Sequence, residues 1–153
     1  TQQDIDARGV SKEEAARAIA ARIQACDLLA AYNAQFDLTF LFYLLSAHGD
    51  FSCLAGKDKL DLLTVYKDRR PYPHRLCNAI EGYGLTGVSN SHQAQDDALA
   101  AARLMEVMEQ EKQDLISYVN LFGYNPKYGV PRPPIRSITY KPQYYNPAAP
   151  LYL

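Results

Sequence analysis

Apolar residues in this chain follow a helical period in some stretches and gather into short continuous runs in others. Ala15, Ala16, Ile19, Ala20 and Ile23 recur at helical spacing. They predict a helix from Ser11 to about Ala25 with one small-residue face for close packing. Ser11-Lys12-Glu13-Glu14 opens it as a capping box, in which the Ser11 hydroxyl accepts from the amide three residues on and Glu14 reaches back. The apolar run Leu28 to Ala31 reads as the end of a buried strand. A second helix is expected from about Asp37 to Ala47, with Gly49 as its stop. Phe51 to Lys59 reads as a loop, and Leu60 to Tyr66 as a second short strand rich in Leu and Val. Pro71 and Pro73 keep Arg69 to Arg75 out of any helix interior. A short helix from about Arg75 to Tyr83 stops at Gly84, and Thr86 to Ser91 is a loop. The longest helix, from about Gln95 to Lys112, would bury Ala98, Ala101, Ala102, Leu104, Met105 and Met108. Asp114 is expected to cap one further helix, to about Leu121.

The pattern then breaks down. Seven of the nine prolines lie from Pro126 onward, and six of the twelve tyrosines lie between Tyr124 and Tyr152. From Leu115 to the end there is no Asp or Glu, against the cations Lys127, Arg132, Arg136 and Lys141. Ile135 to Tyr140 reads as one strand, and the rest of this stretch as an extended Pro/Tyr-rich tail or disorder. The expected organisation is a domain over 1–122 and a C-terminal tail over 123–153. A basic, tyrosine-rich tail of this kind suits stacking on single-stranded nucleic acid, with simple packing against the domain as the plainer reading.

Composition narrows the class. At 153 residues, 48% of them hydrophobic, the chain has material for one real core. The net charge of -1 announces no global positive field toward nucleic acid, so any such surface must be local. Cys26, Cys53 and Cys77 are scattered and odd in number, which favours a reducing compartment over a disulfide framework or a zinc site. No stretch approaches the roughly 18 apolar residues of a membrane span. The expectation is a cytoplasmic protein with no membrane partner.

Candidate chemistry sits at two helix starts. Tyr32-Asn33-Ala34-Gln35-Phe36-Asp37 joins the Leu28 strand to its helix, and an acid at such a junction lies at the rim of an α/β sheet, where sites form. The stretch His92-Gln93-Ala94-Gln95-Asp96-Asp97-Ala98 opens the longest helix and adds a histidine five residues before Asp97. Carboxylates without cysteine favour a hard cation, Mg²⁺ or Mn²⁺, over zinc. A carboxylate-held metal pair suits phosphodiester hydrolysis, and a histidine with a near-neutral pKa suits proton removal from water. The plainer readings are helix caps and first-turn acids for Asp37, Asp96 and Asp97 and a loop histidine for His92.

These two stretches resemble the second and third motifs of the DEDDh 3′–5′ exonucleases, the group that contains the epsilon proofreading subunit of bacterial DNA polymerase III and the exonuclease domain of the Gram-positive replicative polymerase. His92 through Ala98 is similar to the family's H-x-A-x-x-D-A. Leu60-Asp61-Leu62-Leu63, Leu76 and Tyr83-Gly84-Leu85 are similar to its middle segment. The resemblance runs from about Arg8 to Met108. It implies a ribonuclease-H-like α/β fold, a two-metal site holding Mg²⁺ or Mn²⁺, and removal of nucleotides from a 3′ end. By position it makes Asp37 and Asp97 metal-ligand carboxylates and His92 the general base. Tyr32, Asn33 and Phe36 fall beside the substrate.

The sequence departs from the family in one respect. The family's first motif, D-x-E, lies on a first strand ahead of everything matched here. Asp4-Ile5-Asp6 has a D-x-D spacing, but no apolar strand precedes it. The fold is therefore expected to be N-terminally incomplete, with the first three strands absent, and the activity impaired. In the family that first strand lies beside the Leu28 strand, so the Leu28 strand should present an open apolar edge, prone to pairing with another chain.

Three functions follow. The first is a metal-dependent exonuclease acting on single-stranded DNA 3′ ends in proofreading or repair. The second is a non-catalytic module binding nucleic acid or a DNA polymerase subunit. The third is an RNA-directed exonuclease of the same superfamily. Expected partners are a single-stranded DNA 3′ end and a polymerase subunit or a chain that supplies the missing strands. Lys67, Arg69, Arg70, His74 and Arg75 suggest a phosphate-facing patch, or else a solvated loop.

Overall fold

The computed structural model describes residues 9–88 and 93–153. Ser11 caps helix α1 (Lys12–Gln24), its hydroxyl accepting from the Glu14 amide at 3.1 Å. Among the described residues only this half of the capping box is formed. Strand β1 (Leu28–Ala31) follows, then helix α2 (Ala34–His48). Gly49 ends α2 where α1 crosses closely, since a Cβ there would lie 3.1 Å from the Ala16 methyl. Ala16, Ile23, Leu45 and Cys53 bury the contact between the two helices.

The stretch expected to be one loop and one strand divides differently. Phe51–Leu54 forms a 3-10 turn, strand β2 is Asp58–Asp61, and helix α3 is Leu62–Arg69. A run of Leu and Val suits either element, and the Asp61 side chain decides it by accepting from the Leu63 amide and capping α3. β1 and β2 pair in parallel with Leu28 opposite Asp58 and Ala31 opposite Asp61. Helices α4 (Leu76–Gly82) and α5 (Ala94–Glu111) come next. Leu60, Leu62, Val65, Leu104, Met108 and Tyr118 form the centre of the main core, between β2, α3 and α5.

The expected helix after Asp114 is a single 3-10 turn, Leu115–Tyr118. It stops because Asn120 takes a left-handed conformation (φ 58°) and leaves for the sheet. Its amide donates to the Lys59 carbonyl at 2.8 Å, and its side-chain oxygen accepts from the Lys59 amide at 3.0 Å. Strand β3 (Leu121–Tyr124) pairs in parallel with β4 (Thr139–Pro142). Asn120 lies beside Lys59, and the Gly123 amide donates to Thr64 Oγ1. β3 therefore runs in the same direction as β2, and β1, β2 and β3 end at one rim.

The proline-rich segment is held against the domain by a buried carboxylate. Asp68 accepts from Tyr118 Oη (3.0 Å), Gln143 Nε2 (2.7 Å) and the Leu151 amide (2.6 Å). Gly123 lets this happen, because a Cβ there would run into the Gln143 carboxamide. Nearby, Arg69 is nearly buried, with 7% of its side chain exposed. It donates to the Met108 carbonyl at the end of α5, to Glu111 and to Asp114. Arg70 pairs with Glu111 at 2.6 Å and lies over the Tyr83 ring. Both arginines are therefore bound internally, which removes them from the phosphate-facing patch.

Two outcomes test this seam. Asp68→Ala strands three donors, two of them in buried bonds, and should cost about 2–4 kcal/mol in urea unfolding, against about 1 kcal/mol for Tyr118→Phe. Burial pushes the Asp114 carboxyl up, but hydrogen bonds from Lys112 and Tyr152 and the Arg69 charge outweigh it and leave it below the usual range. Glu111 is held low in the same way by Tyr83, Arg70 and Arg69. Carboxyls with lowered folded pKa values contribute stability that is present above their unfolded values and lost as pH falls through the folded ones. The urea midpoint should hold from neutrality down to about pH 5 and fall below about pH 4, and Asp114→Asn should flatten that fall.

Candidate functional site

The site forms where β1 and β2 end. Tyr32 and Asn33 carry the chain from β1 into α2, with Asn33 in the left-handed region at φ 69°. Asp61, at the end of β2, holds this turn in place. Its Oδ1 accepts from the amides of Asn33 (2.9 Å), Ala34 (3.0 Å) and Leu63 (3.2 Å), and its Oδ2 accepts from Thr64 Oγ1 at 2.7 Å. One buried carboxylate thus serves the N-termini of α2 and α3, where helix dipoles favour negative charge. Burial nonetheless pushes its pKa up, against these hydrogen bonds.

With the turn held, the first turn of α2 has two sides. On one, Phe36 and Asp37 face a groove of about 780 Å³. β1 from Leu28 to Tyr32 forms one wall of it, and Ala94, Asp97, Ala98, Ala102 and Met105 of α5 form the other. Asp37 and Asp97, 60 residues apart in the chain, therefore line one groove. Asp37 is exposed at its edge; desolvation, and to a lesser degree the nearby Asp61 charge, raises its carboxyl above the usual range. The Oδ1 atom of Asp97 is buried with no hydrogen-bond partner. A buried acceptor without a donor normally costs about 1–3 kcal/mol, and a bound cation would relieve it. The two carboxylates fit a hard divalent ion in donor type. No cluster of three or more His, Cys, Asp or Glu residues able to hold a metal is present among the described residues.

The remaining predicted positions are placed unevenly. Tyr32 lines the groove, but its hydroxyl is engaged, donating to the His74 carbonyl at 2.9 Å. Phe36 is 59% exposed and packs beside Phe40, with ring centroids 4.8 Å apart. Asn33 faces the other side of the turn, where it lines a second cavity with Gln35 and Asp61. His92 lies outside the described residues, as does Asp4-Ile5-Asp6.

The groove is open because β1 has one bonded edge. It pairs with β2, and among the described residues no strand pairs its other side. Leu28 is 37% exposed, and Ala98 and Ala102, expected in the core, are uncovered on α5. Sequence reasoning missed Asp61, whose signal was an acid directly before an apolar run with Thr three residues on.

The family model for exonucleases matches residues 1–105. The chain belongs to the exonuclease family. No curated protein and no solved structure matches the chain. As an exonuclease-family domain it has the mixed α/β architecture of the ribonuclease-H-like class, and family membership supports a nuclease function that uses divalent metal ions. No helix among the described residues is long and apolar enough to cross a membrane.

The orphaned oxygen gives a metal test that needs no turnover. In EDTA, Asp97→Ala should raise the unfolding free energy by about 1 kcal/mol, since it removes a buried acceptor without a donor. Millimolar Mn²⁺ should raise the wild-type melting temperature and leave that of Asp97→Ala unchanged. A wild-type melting temperature indifferent to Mn²⁺ and Mg²⁺ would remove both carboxylates from the list of metal ligands.

Proposed function

We propose that this exonuclease-family chain is a DEDDh-type 3′–5′ exonuclease domain acting on single-stranded DNA ends in proofreading or repair. The observation that carries this reading is the shared groove of Asp37 and Asp97, with one Asp97 oxygen left without a donor. Bound Mg²⁺ or Mn²⁺ would be held by these two carboxylates and supplies charge stabilisation and an acidified water for phosphodiester hydrolysis. His92, five residues before Asp97, takes the proton from the attacking water. The exposed Phe36 ring offers a stacking surface for the terminal base. Tyr32, through its bond to the His74 carbonyl, braces the turn that carries Phe36 and Asp37.

Two carboxylates are fewer than the family's full set. The open edge of β1 runs along the same groove, so a strand seated there would bring its side chains beside Asp37 and Asp97. We assign that edge to a strand carrying D-x-E, supplied by this polypeptide or by a partner such as a polymerase subunit. The absence of a third metal-ligating residue among the described ones favours a second reading, a nucleic-acid- or polymerase-binding module without turnover.

A 5′-labelled oligodeoxynucleotide separates the two. With Mn²⁺, the chain should shorten it from the 3′ end, and a polypeptide carrying the D-x-E strand should speed this. Asp37→Ala, Asp97→Ala and His92→Ala should each slow shortening by more than about 100-fold. No shortening with the strand supplied, but retained binding, would leave the module reading. An equal rate on the matching RNA would move the substrate to the ribonucleotide class.

A further inference from the structure

The second cavity, on the opposite side of α2's first turn from Asp37, has chemistry of its own. It holds about 480 Å³, within the size range of small-ligand sites. Part of it comes from the exonuclease domain, through Gln35 and Lys67, and part from the proline-rich segment, through Tyr128 and Arg132. Gln35 joins the two parts. Its Nε2 donates to the Pro133 carbonyl at 3.0 Å and its Oε1 accepts from Tyr140 Oη at 2.6 Å.

The lining carries two cations and one acid. Lys67 is half-buried and lies near Asp61, while Arg132 is exposed at the rim. Asp61 is the acid, and both of its oxygens are taken up by the amides of α2 and α3 and by Thr64. The segment that closes the cavity has no Asp or Glu from Leu115 onward, so nothing on that wall opposes an anion. Tyr128 stands beside the cations with 77% of its surface exposed, and the Lys127 ammonium lies 5.5 Å from its ring centroid. A cationic pocket with an exposed aromatic ring at its mouth matches single-stranded nucleic acid, whose phosphates need charge and whose bases need a flat surface.

We propose that this cavity is a second nucleic-acid subsite, which takes a backbone phosphate on Lys67 and Arg132 and stacks a base on Tyr128. Nothing in the exonuclease motif requires it. The choice of nucleic acid over other phosphate-bearing ligands rests on the nuclease reading, whereas the charge and the ring do not. A strand bound at both places would cross the first turn of α2, with its end at Asp37 and an inner nucleotide at Tyr128.

Fluorescence anisotropy of a labelled single-stranded oligodeoxynucleotide, in EDTA to stop hydrolysis, tests this on the full chain. Arg132→Gln should weaken binding about 3-fold at low salt and reduce its salt dependence. Tyr128→Ala should weaken it about 5- to 20-fold, but have no effect on an abasic strand. Arg132 and Tyr128 are both exposed, so the melting temperature should not move, and Lys67→Gln adds a check on the inner cation. Wild-type affinity in these variants would overturn the proposal. So would equal loss of abasic and normal strand in Tyr128→Ala, or competition by inorganic phosphate as effective as by the oligonucleotide. Shortening in Mn²⁺ is scored separately. Loss of binding in the variants without any shortening by wild type, even with the D-x-E strand supplied, defeats only the nuclease reading, and normal binding with shortening intact defeats only this subsite.

Discussion

The arrangement depends on one buried carboxylate. Asp61 ends β2, caps α3 and accepts from the first amides of α2, so it fixes the relative position of a strand end and two helix starts. Placing an acid in a low-dielectric interior is costly unless every lone pair is used. Here three amides and a hydroxyl use them. Both cavities inherit their shape from this knot, because they lie on the two sides of the turn that Asp61 holds. Asp37 and Phe36 face one, and Asn33 and Gln35 the other.

A second constraint is the edge of β1 that has no partner strand among the described residues. A parallel sheet ordinarily has both faces covered and its edges protected from pairing with other chains. This chain covers the β2 side with β3, β4 and the segment that follows, tied down through Asn120, Asp68 and Gln143. The β1 side keeps small residues, Ala98 and Ala102, facing a groove. Small side chains at that position leave room for a backbone to approach. The groove that the carboxylates line therefore runs along the β1 edge that no described strand pairs.

Legibility in the sequence followed the range of the interactions involved. Ser11, the apolar face of α1, the end of α2 at Gly49 and the length of α5 were all readable, because caps and periodicity act within a few residues. Asp37 and Asp97 could be singled out by motif, and the fold brings them to one groove. Of the run expected as strand, Leu62 to Tyr66 is helix, because a short stretch of Leu and Val suits either element and the Asp61 cap decides between them. Arg69 and Arg70 looked like free cations, since nothing local shows that Glu111 and Asp114, about 40 residues on, neutralise them. The proline-rich segment looked extended, and its anchoring through buried bonds to Asp68 was invisible for the same reason.

By itself, then, the sequence determined the helix boundaries set by local capping, the family, and the two motif carboxylates that come to line one groove. Only the tertiary structure decided that Asp61 is a helix-capping hub, that the acid-free segment is tied to the α3 end of the domain, and that a second cavity opens beside Lys67. Local periodicity and motif spacing are properties of neighbouring residues. A buried carboxylate's partners, an arginine's counter-ions and a cavity's two walls come from distant parts of the chain, and they acquire meaning only once packing brings them together.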